Sequence, residues 1–252
     1  MANLTEEFMR KLIAAATTAL LAACTSTTDP VPQQSAAPVA MRDTQSSVSD
    51  YYRVAARVEP VAESVCRSFH ANKPRGFCDF QVKVNTDPSQ PANAYQTIGA
   101  DGRPIITFNV NMLRSFRNDH EIAFVFGHEA GHQIARHIEQ TQANQLAGAV
   151  LGGILVAVGG GDARVGVDIG GAIGGRSYSK KFELEADTIA AHIADRAGYN
   201  AAIGARTFER TRGSSALLAT HPPSTQRMSQ VARTIQTINT AKSQGGRAPV
   251  AW

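Results

Sequence analysis

The sequence has no basic cluster interleaved with aromatic residues. Its net charge is a mild +4 and its pI about 9.1, which speaks against nucleic acid as a partner. Long hydrophobic runs are also missing. Leu12 to Leu20 and Ala147 to Gly161 are apolar or small, but both are shorter than the roughly 20 residues that a membrane-crossing helix needs. Cysteines number three. With 43% hydrophobic and 18% charged residues in 252, the composition suits one globular domain with tails.

The N-terminus reads as a targeting segment. Met9-Arg10-Lys11 precedes a short apolar core and then Leu21-Ala22-Ala23-Cys24. A basic start, an apolar stretch and small residues describe a secretory signal over 1–23. Glu6 and Glu7 are unusual ahead of the basic pair, and translation starting at Met9 would remove them. Leu-Ala-Ala-Cys resembles the bacterial lipobox. That resemblance implies cleavage before Cys24, lipid on Cys24 and attachment to a membrane; Thr25 in the next position favours an outer membrane, facing the periplasm. Residues 24–46 are rich in Thr, Ser, Pro, Gln and Ala and read as a disordered tether. The remaining Cys66 and Cys78 form an even pair, suited to a disulfide in an oxidising compartment, with two buried thiols as the alternative. Such a short loop would contribute roughly 2–3 kcal/mol.

A folded domain is expected over 47–242 and a flexible tail over 243–252. Tyr51, Val54, Val58, Val61, Val65 and Phe69 recur at helical steps, with Pro60 expected to kink or split the helix. Strands are expected around Phe80–Val84, Asn93–Ile98 and Pro104–Val110, the last two joined by a tight turn at Ala100-Asp101-Gly102. Helices follow over about Asp119–Gln140, Ser179–Ala197, Asn200–Arg212 and Ser224–Ala241. The Gly-rich stretch 147–175 reads as a mobile flap or short helical hairpin beside a cleft, with membrane insertion as the alternative.

The densest chemistry lies in Phe126-Gly127-His128-Glu129-Ala130-Gly131-His132. On a helix, His128 and His132 project from one face one turn apart and can share a Zn²⁺. Glu129 stands where it can take a proton from a water bound there. A zinc peptidase site needs a third protein ligand. A third histidine six residues after the second, with glycine midway, is ruled out by Ile138 and Ala135. His137 is one position early and would sit off the zinc face, as a surface residue or a partner of a ligand. Phe182-Glu183-Leu184-Glu185-Ala186-Asp187 offers a carboxylate instead. Glu183 and Asp187 share a helix face, so Glu183 can ligate while Asp187 takes the other N–H of a zinc histidine. Glu185 is the competing ligand, and otherwise a solvated side chain.

These motifs in this order, continued by His221-Pro222 and Arg227, resemble gluzincin zinc metallopeptidases of the HtpX/CAAX-protease type, and within them small bacterial lipoproteins of the LoiP kind. The resemblance covers roughly 50–240. It implies a zincin-like α+β domain, mostly helical, with a small mixed sheet over the active-site helix. It also implies one Zn²⁺ on His128, His132 and Glu183, with Glu129 as general base. His221 is expected near the metal, as an oxyanion donor or in the fourth zinc position. Arg227 is expected to pair with an acid of the Glu183 helix. Extended polypeptides, taken along a sheet edge near Asn93-Ala94-Tyr95, are the expected substrates. The implied task is quality control of unfolded envelope proteins. The alternative is a latent or non-catalytic chaperone or assembly factor with envelope partners, using the same cleft.

Overall fold

Asp43 opens the first helix, α1 (Thr44–Phe69), by accepting the N–H of Ser46 at 2.9 Å. The computed structural model describes residues 42–158, 178–210, 221 and 225–252. The expected signal segment, Cys24 and the tether up to residue 41 lie outside these residues, as does the Gly-rich run beyond Val158. Helix α1 therefore begins inside the stretch expected as tether. Tyr51, Val54, Val58, Ala62, Val65 and Cys66 form its buried stripe. Pro60 neither ends nor splits it. Both Pro60 and Ala56, whose carbonyl loses its partner, are exposed, so water can take the place of the missing N–H. Cys66 is bonded to Cys78, at the end of a 3-10 turn (Arg75–Cys78).

Three strands follow: β1 (Gln81–Asn85), β2 (Ala94–Ile98) and β3 (Pro104–Asn109). Their order is β1-β3-β2, with β1 parallel and β2 antiparallel to β3. The β2–β3 turn closes through a Gly99 N–H to Arg103 carbonyl bond of 2.8 Å. Gly102 takes φ 78° there, a conformation that side chains resist. Ile106 and Phe108 on the central strand are fully buried, Phe108 against the Tyr51 ring at 4.6 Å. Strand β2 is an edge, with Ala94 and Gln96 turned inward and Tyr95 outward.

Helix α2 (Val110–Ser115) is capped by Asn109, and α3 (Asp119–Ile134) by Asn118. Every residue of α3 from Glu121 to Ile134 is buried. A helix buried on all sides is the centre of its fold. Instead of continuing to Gln140 as expected, α3 stops: Arg136 adopts φ 59°, and the chain restarts as α4 (His137–Val158). Helix α5 (Lys180–Arg196), capped by Ser179, lies against α3. A Cβ on Gly127 would stand 3.1 Å from the Ala190 Cα, and one on Gly131 3.0 Å from the Ala186 Cα. Two glycines one turn apart thus let the two backbones meet, bringing the histidine helix within reach of Glu183. Short helices α6 (Ala201–Ala205) and α7 (Thr207–Arg210) precede α8 (Thr225–Ser243).

The mostly helical fold with a small mixed sheet is the one expected. Among the described residues, no helix is long and apolar enough to cross a membrane. The C-terminal residues are not a frayed tail. Ala248 and Val250 are buried, Arg196 donates to the Ala248 carbonyl at 2.9 Å, and Trp252 packs on Phe69 at 4.6 Å. Small apolar residues after a helix were enough to dock, although no periodicity marks them.

Candidate active site

His128 and His132 lie on one face of α3, both fully buried, with Nε2 atoms 3.1 Å apart. Glu183, near the start of α5, places Oε2 at 3.4 Å from His128 Nε2 and Oε1 at 3.7 Å from His132 Nε2. His221 Nδ1 stands 3.2 Å from His128 Nε2 and 2.8 Å from Glu183 Oε1. One ligand atom from each of the four lies within 4.8 Å of the others. Tetrahedral zinc with bonds of about 2.0–2.2 Å separates its ligand atoms by roughly 3.3–3.5 Å. The observed spacings bracket that value.

Proton accounting tests the fit further. Asp187 Oδ1 lies 2.9 Å from His128 Nδ1 and takes its N–H, which leaves a lone pair on His128 Nε2. Glu185 Oε2 lies 2.9 Å from His137 Nε2 and takes that N–H. His137 Nδ1 then accepts from His132 Nδ1 at 2.8 Å, which leaves a lone pair on His132 Nε2 as well. Two lone pairs face each other at 3.1 Å beside a carboxylate. Only a cation makes such a contact favourable, and a divalent metal fits it. A proton is the competing occupant. Burial opposes charge on His128, but Asp187 and Glu183 outweigh it and hold the imidazole up at about 9. Burial and the neighbouring His128 push His132 well down. Burial also works against the Glu183 carboxylate, yet His221 and His128 hold it below the usual carboxylate range.

Glu129 is 1% exposed, and its Oε1 has no hydrogen-bond partner among the described residues; His221 Nε2 is 3.8 Å away. Burial raises its pKa, as suits a group that must hold a proton in passing. Arg227, 2% exposed, grips Asp187 with two bonds of 2.6 Å and places NH1 3.0 Å from Glu183 Oε2. Tyr178 stacks on His132 with centroids 3.9 Å apart. A cleft of about 320 Å³ opens beside Glu129, walled by Asn93, Tyr95 and Gln96 on one side and by Ile138, Thr141, Gln142 and Gln145 of α4 on the other. A larger cavity of about 690 Å³ lies between Tyr199 and Lys242, away from the ligand cluster.

The model of peptidase family M48 matches residues 53–235. The chain belongs to family M48. M48 peptidases use zinc, and the buried donor set of this M48 chain suits it. Two curated relatives are mitochondrial metalloendopeptidases OMA1. The one from Arabidopsis thaliana is 33% identical over 138 residues, covering 51% of this chain and 27% of its own. That from Saccharomyces cerevisiae is 29% identical over 171 residues, covering 64% of this chain and 48% of its own. The chain thus spans no more than about half the length of these relatives. Both are mitochondrial, which overturns the expected bacterial outer-membrane location facing the periplasm. That expectation hung on a four-residue lipobox likeness and the following Thr25.

Within the M48 site, His128, Glu129, His132, Glu183, Asp187, His221 and Arg227 converge. His221 stands in the donor set itself, not back from it as an oxyanion donor would. Glu185 is neither ligand nor solvated: its side chain is 15% exposed and anchors His137. His137, expected off the zinc face on the surface or as a partner of a ligand, stands outside the four clustered donors. The turn at Arg136 swings the next helix so that this ring meets His132. Tyr178 carried no signal in the sequence beyond standing before a helix cap. The His137–Glu185 pair gives His132 the support that Asp187 gives His128. Glu185→Ala is expected to weaken zinc binding about 10- to 100-fold, and Glu185→Gln less. Competition with a chromophoric chelator measures this; equal affinities for wild type and Glu185→Ala would refute it.

Proposed function

We propose that the chain is a zinc-dependent metalloendopeptidase acting on extended segments of unfolded or misfolded polypeptides. The observation that carries this reading is Glu129: a buried carboxylate with an oxygen that has no partner among the described residues, between a His/His/Glu donor set and an open cleft. His128, His132 and Glu183 would hold the metal. Zinc bound there supplies Lewis-acid polarisation of a carbonyl and lowers the pKa of water. Glu129 accepts the proton of the attacking water and returns it to the leaving amine. Asp187 and the His137–Glu185 pair fix the tautomers of the two histidines. The edge position of β2, with Asn93–Gln96 along the cleft, supports strand-like docking of a peptide, which reads backbone before side chains. The order of motifs retains the likeness to HtpX-type members. Membrane attachment through Cys24 rests on Leu21–Cys24 alone, and the peptidase reading does not depend on it.

Casein cleavage by the full-length chain tests the reading. It is expected to stop with a zinc chelator and to return on adding zinc. Cleavage that a chelator leaves undiminished would end the proposal.

A latent form is the second reading, and the place of His221 favours it. With His221 Nδ1 in the donor set, His221 would take the open position that a catalytic zinc requires. His221→Ala is then expected to raise the casein rate several-fold. A loss of about 10²-fold would instead return His221 to an oxyanion role.

A further inference from the structure

We propose that Gln133 is a positioning residue: it fixes the edge strand β2 against helix α3, and so sets where a peptide docked on that strand lies over Glu129. This deepens the peptidase reading above and rests on it. Gln133 follows the ligand His132 on α3 and is 5% exposed. The cleft lining runs through Gln96 and Glu129 but, among the described residues, not through Gln133. Its amide bonds in two directions. Nε2 donates to the Phe77 carbonyl at 3.1 Å, and Oε1 accepts from Gln96 Nε2 at 3.1 Å. Phe77 belongs to the 3-10 turn (Arg75–Cys78), and Gln96 is an inward residue of β2. The Phe77 carbonyl can only accept, so it decides which end of the Gln133 amide faces Gln96. Gln96 gives its second N–H to the Thr97 carbonyl at 3.0 Å.

Strand β2 pairs with β3 on one side. Those bonds fix its place in the sheet, but not the place of the sheet over α3. Apolar packing is non-directional and holds the two together without setting a register. A hydrogen bond prefers one distance and one angle, so the Phe77–Gln133–Gln96 chain ties the docking strand to the helix that carries Glu129. The position requires a group that donates on one side and accepts on the other. A glutamate would face the Phe77 carbonyl without an N–H, and a lysine could not accept from Gln96. A substrate bond displaced by about 1 Å from its catalytic groups reacts up to ~10²-fold more slowly. The loss falls on kcat, because the free edge of β2 still offers its backbone bonds. It also falls on peptides long enough to pair with that edge, since shorter ones take no alignment from it.

Two quenched fluorogenic peptides decide the matter in the full-length chain: a long one able to pair along Asn93–Gln96, and the same one truncated to the residues beside the scissile bond. The wild type is expected to cut the long peptide with the higher kcat. Gln133→Met keeps the length of the side chain and removes both bonds. It is expected to lower kcat on the long peptide about 10- to 100-fold, with KM within about twofold and the truncated peptide cut as before. Zinc affinity, read by competition with a chromophoric chelator, is expected to stay at the wild-type value. Gln133→Leu is the second variant, and melting curves show which of the two folds. The double variant Gln96→Met with Gln133→Met replaces both partners by apolar groups and is expected to regain stability but not kcat on the long peptide. A wild type that cuts both peptides alike, or a folded variant with unchanged kcat on the long peptide, would overturn the positioning role and leave the peptidase reading standing. So would an equal loss on both peptides, a loss taken in KM, weakened zinc binding, or recovery of kcat in the double variant. No zinc-dependent cleavage of any peptide or of casein by the wild type would sink both.

Discussion

Glu129→Gln is expected to lower kcat about 10²- to 10⁴-fold while zinc stays bound and the melting temperature holds or rises. The substitution preserves shape and removes only the ability to accept and return a proton. Glu129 touches the ligand set only at a distance, with His221 Nε2 3.8 Å away, so the metal donors are untouched. Stability is expected to hold, because a buried carboxylate with an oxygen unpartnered among the described residues is costly to the fold and a neutral amide costs less. Loss of rate with equal or greater stability separates a catalytic group from a structural one. Turnover on a fluorogenic peptide, zinc content by mass spectrometry and thermal melting provide the three readouts. Wild-type turnover in a zinc-loaded Glu129→Gln protein would remove the general base from the mechanism.

The parts of this site that were legible in the sequence are those a straight helix encodes. His128 and His132 at four residues, and Glu183 and Asp187 at four, fall on single faces whatever surrounds them. Gly127 and Gly131 sit in the same motif, but that they face Ala190 and Ala186 is a property of two helices meeting. Glu185 was misjudged because the histidine it supports was not placed beside it. The turn at Arg136, φ 59°, carries no Gly or Pro to announce it, and without it nothing in the sequence brings His137 to Glu185 on a separate helix. Pro60 misled in the opposite direction, because the penalty of a proline depends on whether the stranded carbonyl faces water. The place of action was the least legible feature, since a four-residue likeness near a terminus says little against relatives matched over more than a hundred residues. Gln96 shows the general limit. Alternation turns it inward, but only the Phe77 carbonyl, reached through Gln133, decides which end of its amide faces α3.

Arg227→Ala is expected to be the most destabilising single change outside the ligand set, by about 3–5 kcal/mol. The guanidinium is 2% exposed, holds both oxygens of Asp187 at 2.6 Å, donates to the His221 carbonyl at 3.1 Å and lies 4.1 Å from the centre of the Phe208 ring. Burial opposes its charge, and Asp187 first among the acids reverses that and raises its pKa. Removing it leaves Asp187, 1% exposed and one turn from Glu183, with His128 as its remaining partner among the described residues. Lysine is expected to rescue little, because one ammonium cannot reproduce two parallel bonds to a carboxylate. Against a total stability of roughly 5–15 kcal/mol, the change approaches unfolding at ordinary temperature, and urea titration followed by circular dichroism measures it. The double variant Arg227→Leu with Asp187→Leu removes both charges and is expected to recover much of the loss. Zinc affinity should not recover with it, because His128 Nδ1 then has no carboxylate to fix its tautomer. A double variant that regained both stability and affinity would show that Asp187 serves Arg227 and not the histidine. Recovery of stability alone ties the buried ion pair to the metal site it supports.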